Sequence, residues 1–329
     1  MMELIRINLQ LFAEMNTNVT TQTGTGQDLS VENKTFYDMT LIDEAQANLV
    51  HDQFAQKRPI PKNGGKTIEF RKFAALPKAL TALTEGVTPD GKKLDASKIE
   101  ATVSQYGDYI VQSDVLELTS IDNTIVEATK ILGRQAGLTL DTVTRNILQS
   151  GTNVFYCPKG DGTAVDSRTA LDATCKLTVA TIKRAVAFLK KNNAPKIDGS
   201  YVAIVHPYAA HDLMSDPEWI DAHKYAQPEN LYEGEIGKIA GVRFVETSEA
   251  AVIDGVYCTL LMGANAYGVT EITGGGLQTI IKQKGSAGTA DPLDQRSSIG
   301  WKAMKTAEIL IDAYLIRIES KSDFDIEDN

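Results

Sequence analysis

The stretch that decides the fold is residues 124–150, TIVEATKILGRQAGLTLDTVTRNILQS. Thr124 and Glu127 have the spacing of a capping box, and Gly151 follows as a stop signal. The apolar residues that share one helical face are Ile125, Ala128, Leu132, Ala136, Val143 and Ile147. At ~1.5 Å per residue, this pattern predicts an amphipathic helix about 40 Å long.

The sequence after this helix predicts a lobe of mixed α and β structure. Thr178 is expected to cap a helix that runs to Asn192. Further predicted elements are a buried strand at Tyr201–Val205, a short helix at Tyr208–Met214, a core strand at Val256–Met262 and a long apolar β-type run at Ala307–Ser320.

Glycines punctuate residues 230–247, where Gly234, Gly237 and Gly241 precede an apolar run from Val242 to Val245. Glycine allows tight turns and close packing, and Val-x-Phe-Val predicts a short strand. This stretch contains no plausible nucleophile, base or metal cluster, which indicates a part of the architecture.

A projecting hairpin is predicted before the long helix. Its first strand carries Ile68, Phe70 and Phe73, and its second strand carries Ile99, Ala101 and Val103. A turn signal, Thr88-Pro-Asp-Gly, lies in the long polar connection between them. Because a lone hairpin is marginally stable in water, we expect this one to lie on another molecule.

The N-terminal region is expected to be an arm with a short helix. Residues 14–35 are rich in Thr, Asn, Gln and Gly, and a helical pattern runs from Phe36 to Phe54. Residues 4–13, LIRINLQLFA, contain Arg6, Asn8 and Gln10 and lack a clear cleavage site, so we reject a secretory signal. This segment is expected to be a short strand or a docking segment.

Composition limits the functional classes. The chain has 329 residues, enough for one large domain or two to three lobes, and a net charge of −10. The acidic balance argues against a dedicated nucleic-acid binder. The three cysteines, Cys157, Cys175 and Cys258, include no C-x-x-C pair and are expected to be reduced and structural. No apolar run reaches the ~18 residues of a membrane span.

No catalytic, cofactor-binding or metal site is predicted. Gly64-Gly-Lys-Thr lacks the first glycine of a phosphate-binding loop and precedes a strand pattern. His206 and His211 are five residues apart, a poor spacing for two metal ligands on one helix face, and His223 lies nearby. Capping or interface roles are therefore expected for these histidines.

The charged residues of the projecting loop, Glu85, Lys92 and Lys93, are the only site candidates. Solvated charge is the simplest interpretation of their role. The functional alternative is contact with a neighbouring subunit.

The order of these parts resembles the major capsid protein of tailed bacteriophages with the Hong Kong 97-type fold. The residues that carry the resemblance are 83–89 (LTEGVTP), 105–109 (QYGDY) with Ser113-Asp, 131–136 (ILGRQA), 201–207 (YVAIVHP), 230–247 and Gly300-Trp-Lys. Residues 8–13, NLQLFA, also resemble the N-termini of phage head proteins from low-GC Gram-positive hosts.

The resemblance implies an α+β fold with five parts. These are an N-terminal arm (1–60), an extended β-hairpin loop (61–112), a peripheral domain (113–174) with a spine helix (124–150), an axial domain (175–285), and a return strand of the peripheral domain with a C-terminal tail (286–329).

The resemblance also implies self-assembly into hexamers and pentamers of an icosahedral shell, without a cofactor or a membrane. Expected partners are portal and scaffolding proteins and, non-specifically, packaged double-stranded DNA. The protein would reside in the virion capsid, and in the host cytoplasm during assembly. Some family members crosslink a loop lysine to a neighbour's asparagine, but no partner asparagine can be matched to Lys92 or Lys93.

Two alternatives remain open at the level of sequence. An encapsulin-type bacterial compartment would use the same fold to enclose an enzyme. An unrelated α+β enzyme would instead have a deep polar pocket with a cluster of perturbed titratable groups.

Overall fold

The computed structural model describes residues 49–73, 76–83, 85–88, 90–119, 124–224, 235–286, 288 and 291–326. The strands are β1 (Gln56–Lys57), β2 (Thr67–Phe73), β3 (Ala96–Thr102), β4 (Ser104–Ser113), β5 (Val154–Tyr156), β6 (Tyr201–Val205), β7 (Glu235–Ile239), β8 (Val242–Glu246), β9 (Val252–Ile253), β10 (Val256–Met262), β11 (Tyr267–Glu271), β12 (Gln278–Lys282), β13 (Arg296–Ile309) and β14 (Leu315–Ser320). The helices are α1 (Asp114–Thr119), α2 (Thr124–Gln149), α3 (Val179–Lys191), α4 (Pro207–Met214) and α5 (Pro217–Lys224).

Strand β13 organises a five-stranded sheet. Its residues Arg296–Lys305 pair antiparallel with β4 along one edge, and its other edge pairs with β12 and then with β11. Strand β1 adds to β11 in parallel. Helix α2 covers one face of this sheet, where Leu132, Ala136 and Leu140 share a core with Trp301 and Ala303. The amphipathic pattern of α2 is thus matched by the inward face of β13.

The second sheet is mixed and has seven strands. Their order is β5-β14-β10-β6-β8-β7, and β9 pairs with β10. Strands β6 and β10 are buried along their whole lengths. Helix α3 packs on one face through Val179, Ile182, Val186 and Leu189. The end of α2 packs on the other face through Leu148. Burial on both faces explains why β6 is a continuous apolar run and why β10 is apolar except for Thr259.

The predicted mixture of helices and sheets is confirmed, and so are its main elements. Helix α2 spans Thr124–Gln149, and the Thr178 side chain caps α3 by accepting a hydrogen bond from the Thr181 amide. The predicted hairpin is present as β2 and β3. The predicted strand after Gly241 is β8, which a two-residue turn, Ala240-Gly241, connects to β7. Both turn residues have positive φ, 53° and 82°, which explains the glycine.

The prediction of one continuous run at Ala307–Ser320 was wrong. Ile309 ends β13 in the five-stranded sheet, and Leu315 begins β14 in the seven-stranded sheet. Asp312 lies between them, where its carboxylate accepts a hydrogen bond from the Thr152 amide at 2.9 Å. The two strands are equally apolar, so their sequence does not mark the crossover between sheets. Strands β11 and β12 were not predicted.

Several predictions lie outside the described residues. They include the segment 4–13, the polar stretch 14–35, the helical pattern up to residue 48, the glycine Gly234 and the predicted turn residue Pro89. Residues 51–54, the end of the predicted N-terminal helix, form a turn in which the Ala55 amide donates to the Asp52 carbonyl at 3.4 Å.

Candidate subunit interface

The hairpin of β2 and β3 is anchored on the five-stranded sheet through Phe70. This side chain is buried, and its ring lies so close to Gly268 on β11 that a Cβ atom there would be 3.2 Å from it. The Arg58 guanidinium lies 6.0 Å from the centre of the same ring. The absence of a side chain at position 268 therefore makes room for the anchor of the hairpin.

Exposed charges cover the stem of the hairpin. Lys98 on β3 lies between Glu69 and Glu100, with its Nζ 3.4 Å from a Glu69 carboxylate oxygen. Hydrogen bonds from Lys98, first to Glu100 and then to Glu69, raise the pKa of the lysine. All three side chains are exposed, so these pairs contribute little to folding stability.

The loop between β2 and β3 exposes large apolar side chains. Every residue described between positions 76 and 95 is exposed. The large apolar residues of this segment, here called the loop leucines and valine, are Leu76, Leu80, Leu83, Val87 and Leu94, and Leu80 is 87% and Leu83 77% exposed. A contiguous segment with so much exposed apolar surface marks an interaction site.

The predicted contact residues Glu85, Lys92 and Lys93 lie on this same loop, and all three are exposed. The loop thus places the predicted charges in one segment with the loop leucines and valine. Those apolar residues were missed in the sequence reasoning, which considered only charged groups. The available signal was five large aliphatic residues in a polar, turn-rich stretch without strand or helix periodicity.

A second exposed apolar surface lies near β4. It comprises Tyr109 and Val111 on β4 and Val115 and Leu118 on α1, and we call it the β4 surface. Tyr109 is 67% and Leu118 70% exposed. Its apolar side chains come from two successive elements, so the β4 surface is a second candidate contact area.

Hydrogen bonds fix the β4 surface to the core. The Gln135 side chain of α2 donates to the Asp108 carboxylate at 2.6 Å, and the Trp301 indole donates to the side-chain Oε1 of Gln135 at 3.3 Å. The hydrogen bond from Gln135, together with one from the Tyr109 amide, lowers the pKa of Asp108. The exposed strand is therefore linked through Gln135 to a buried tryptophan.

A buried polar network holds His51 and Asp52 against α2 and the five-stranded sheet. The His51 Nδ1 atom lies 2.6 Å from an Asp141 carboxylate oxygen, and the His51 amide donates to the other oxygen at 2.8 Å. The Tyr267 hydroxyl donates to the His51 carbonyl. Burial raises the pKa of Tyr267 well above its usual value, and the charges of Asp52 and Asp141 add to the effect.

Asp52 forms the second half of this network. Its carboxylate accepts a hydrogen bond from the Thr144 hydroxyl at 2.6 Å and pairs with Lys305. The Lys305 ammonium also donates to the Leu140 carbonyl at 2.9 Å. The segment before β1 is thus bound to α2 and β13 through side chains far apart in sequence.

A groove of about 640 Å³ opens beside this network between Leu49, Lys57, Leu277 and Met304. Its wall contains Asp52 and Lys305, which form an ion pair with each other. Among the residues described, no group of three or more His, Cys, Asp or Glu side chains could hold a metal ion. None of the described helices is both long enough and apolar enough to cross a lipid bilayer.

The histidines considered as metal ligands, His206 and His211, have different partners. His206 precedes α4, and its Nδ1 atom accepts a hydrogen bond from the Tyr208 amide at 3.2 Å. The predicted capping role is therefore confirmed for His206. His211 is exposed, and its Nδ1 lies 3.7 Å from the carboxylate of its neighbour Asp212.

Comparisons with known proteins point to one family. A sequence model of the family described as phage capsid protein matches residues 96–313. No curated protein sequence matches the chain. Among solved structures, the chain is similar to the capsid of cyanophage Pam1, with 14% identity, a TM-score of 0.65 and coverage of 94% of this chain and 98% of that one.

Two further structures are similar. The capsid of cyanophage P-SCSP1u has 14% identity, a TM-score of 0.62 and coverage of 93% of this chain and 94% of that one. The capsid of Ralstonia phage GP4 has 15% identity, a TM-score of 0.61 and coverage of 84% and 88%. At these identities the likeness concerns the fold.

Proposed function

The chain belongs to the phage capsid protein family, and we propose that its copies join through the projecting hairpin loop to form the icosahedral head of a tailed phage. It is a structural, non-enzymatic coat protein, and its place is the capsid of the virion. The encapsulin-type alternative is not favoured, because the matching family and the similar structures named above are phage capsids.

The observation that carries the proposal is the exposure of the loop leucines and valine. Full burial of a leucine contributes about 1.5–3 kcal/mol, and a single copy leaves these residues in water. A second copy can cover them in a head-to-tail contact, and such contacts form rings or shells when the rotation closes. Glu85, Lys92 and Lys93 would then lie at the border of the contact.

In this proposal the chain has the five parts of a Hong Kong 97-type subunit. The arm would comprise residues 1–60 and the extended loop residues 61–112. The peripheral domain would comprise residues 113–174 and 286–329, and the axial domain residues 175–285. Hexamers and pentamers would assemble in the host cytoplasm with portal and scaffolding proteins, and the shell would contact packaged DNA non-specifically.

Electron microscopy of the purified full-length chain tests the proposal. Closed shells or rings of five or six copies are expected, if necessary after co-expression with a scaffolding protein. A monodisperse monomer under all assembly conditions, including co-expression, would contradict it.

A further inference from the structure

Strand β4 has one edge that no described strand covers. The Asp114 amide donates to the Gln295 carbonyl of the segment leading into β13 at 2.9 Å. Amides alternate in direction along a strand, so the even-numbered amides of β4 point to β13. The odd-numbered amides of Gln105, Gly107 and Val111 point away from β13, toward the uncovered edge. The Tyr109 amide on this edge donates to the neighbouring Asp108 carboxylate at 2.8 Å.

The uncovered edge continues the edge that β2 covers. The Val103 amide donates to the Lys66 carbonyl at 2.9 Å, at the end of the β2–β3 ladder. Because Val103 is odd-numbered, β2 lies on the same edge as the free amides of β4. Beyond Val103, none of the described strands pairs with this edge from Ser104 to Ser113, a length of about 33 Å. An additional strand could therefore continue the line of β2.

Apolar side chains lie on one face of the uncovered edge. Tyr106 and Ile110 pack against the core beneath α2, and side chains alternate between the two faces of a strand, so Tyr109 and Val111 lie on the face away from α2. Tyr109 and Val111 lie on the strand itself, and both are at least half exposed. A strand added here would cover apolar surface as well as pair free backbone groups, which is how sheet edges take up peptides.

The chain contains a segment that fits this edge. In residues 4–12, LIRINLQLF, the apolar residues Ile5, Ile7, Leu9 and Leu11 alternate with Arg6, Asn8 and Gln10. This alternation has the period of a strand with one apolar face, and nine residues span about 30 Å. Arg6 is also complementary in charge to Asp108 at the middle of the edge.

We propose that residues Leu4–Phe12 of an adjacent copy pair with β4 as an added strand. Between this segment and the helical pattern that begins at Phe36 lie residues 13–35, and a random coil of 23 residues would span about 26 Å, enough to reach a neighbour. The added strand is assigned to an adjacent copy because the β4 edge continues the hairpin, and in the proposed function the hairpin contacts a neighbouring copy. This inference therefore rests on the proposed function.

Cysteine crosslinking in assembled shells tests the proposal. Tyr109→Cys is combined in turn with a cysteine at each position from 6 to 11, and electron microscopy verifies that each variant forms shells. The shells are then mildly oxidised and run on a non-reducing denaturing gel. The expected result is a ladder of covalent oligomers, with a yield that alternates between high and low as the N-terminal cysteine moves along the segment one position at a time. The native cysteines give little background because all three are buried.

Two matched controls accompany the scan. The same N-terminal cysteines are paired with Lys190→Cys, an exposed position on α3 in the other sheet layer, where no ladder is expected. In the scan background, Leu9→Pro removes a strand amide and should abolish the ladder, whereas Leu9→Val should keep it.

The outcomes separate this inference from the proposed function. Intact shells without a ladder, with only intramolecular crosslinks, or with yields that show no alternation would overturn the strand pairing and leave the coat function standing. Failure of the unmodified chain to form shells would overturn both.

Discussion

The imidazole Nδ1 of His51 lies 2.6 Å from a carboxylate oxygen of Asp141, and both side chains are fully buried. The pair joins the segment before β1 to the middle of α2, across 90 residues of sequence. The segment before β1 is therefore fixed to α2 at His51.

Replacing His51 by alanine should destabilise the chain. Asp141 would remain buried with the loss of its side-chain partner, and breaking a buried pair in this way costs about 3–5 kcal/mol. Urea unfolding of the purified chain measures the change. The control is Glu218→Gln, which breaks the exposed pair with Lys183 and should cost less than about 1 kcal/mol. Equal effects of the two substitutions would show that burial does not strengthen the His51–Asp141 pair.

Replacing Leu80 and Leu83 together by serine should block assembly while leaving the fold intact. Both side chains are exposed in one copy, so the unfolding transition of the unassembled chain should not move. If each leucine is buried against a neighbour, its loss costs at least about 1.4 kcal/mol, which is tenfold in affinity. Sedimentation at increasing protein concentration measures the threshold for shell formation. An unchanged threshold would contradict the role of the loop.

Replacing Lys92 and Lys93 together by serine should have a smaller effect that depends on salt. Exposed ion pairs contribute about 0–1 kcal/mol and are screened by ions. The assembly threshold should rise slightly at low ionic strength and match that of the unmodified chain at high ionic strength. A large effect that salt does not change would assign these lysines a buried or covalent contact instead.

Replacing Gly300 by alanine should destabilise the five-stranded sheet. A Cβ atom there would lie 2.6 Å from the Tyr109 Cβ and 2.8 Å from the Asp108 carbonyl oxygen on the paired strand. Neither atom can move without shifting β4, and overpacking of this kind costs about 1–3 kcal/mol. Thermal unfolding measures the loss. At Gly276 the nearest atom is the flexible Glu271 carboxylate at 3.5 Å, so Gly276→Ala should be nearly neutral. A neutral Gly300→Ala would show that the β4–β13 contact is easily adjusted.

Local signals in the sequence were sufficient to predict elements such as α2 and α3. The α2 pattern combines a capping-box spacing with one apolar face, and the Thr178 cap needs only residues within one turn. These signals depend on residues that are close in sequence, so they can be recognised without knowledge of the tertiary structure.

The pairing of strands could not be predicted in the same way. Gly300 lies opposite Tyr109, and no local rule connects residues so far apart. The crossover at Asp312 was missed because its stabilising partner is the distant Thr152 amide. The apolar residues of the loop were missed for a related reason, because sequence alone does not say whether an aliphatic residue is buried in its own chain or exposed for a neighbour.

The cysteine thiols should be unreactive in the folded chain and should make it sensitive to alkali. Burial raises the pKa of Cys157 to about 12 and that of Cys258 to about 11, against about 8.5 in an unfolded chain. A raised pKa in the folded state means that the stabilisation is fully present below about pH 8.5 and is lost as the pH rises toward the folded values. At pH 8, a thiol reagent should detect almost none of the three cysteines in the native chain and all of them in denaturant. Stability to urea should fall between pH 8.5 and 10.5. Rapid reaction of Cys157 or Cys258 in the native chain would contradict their burial.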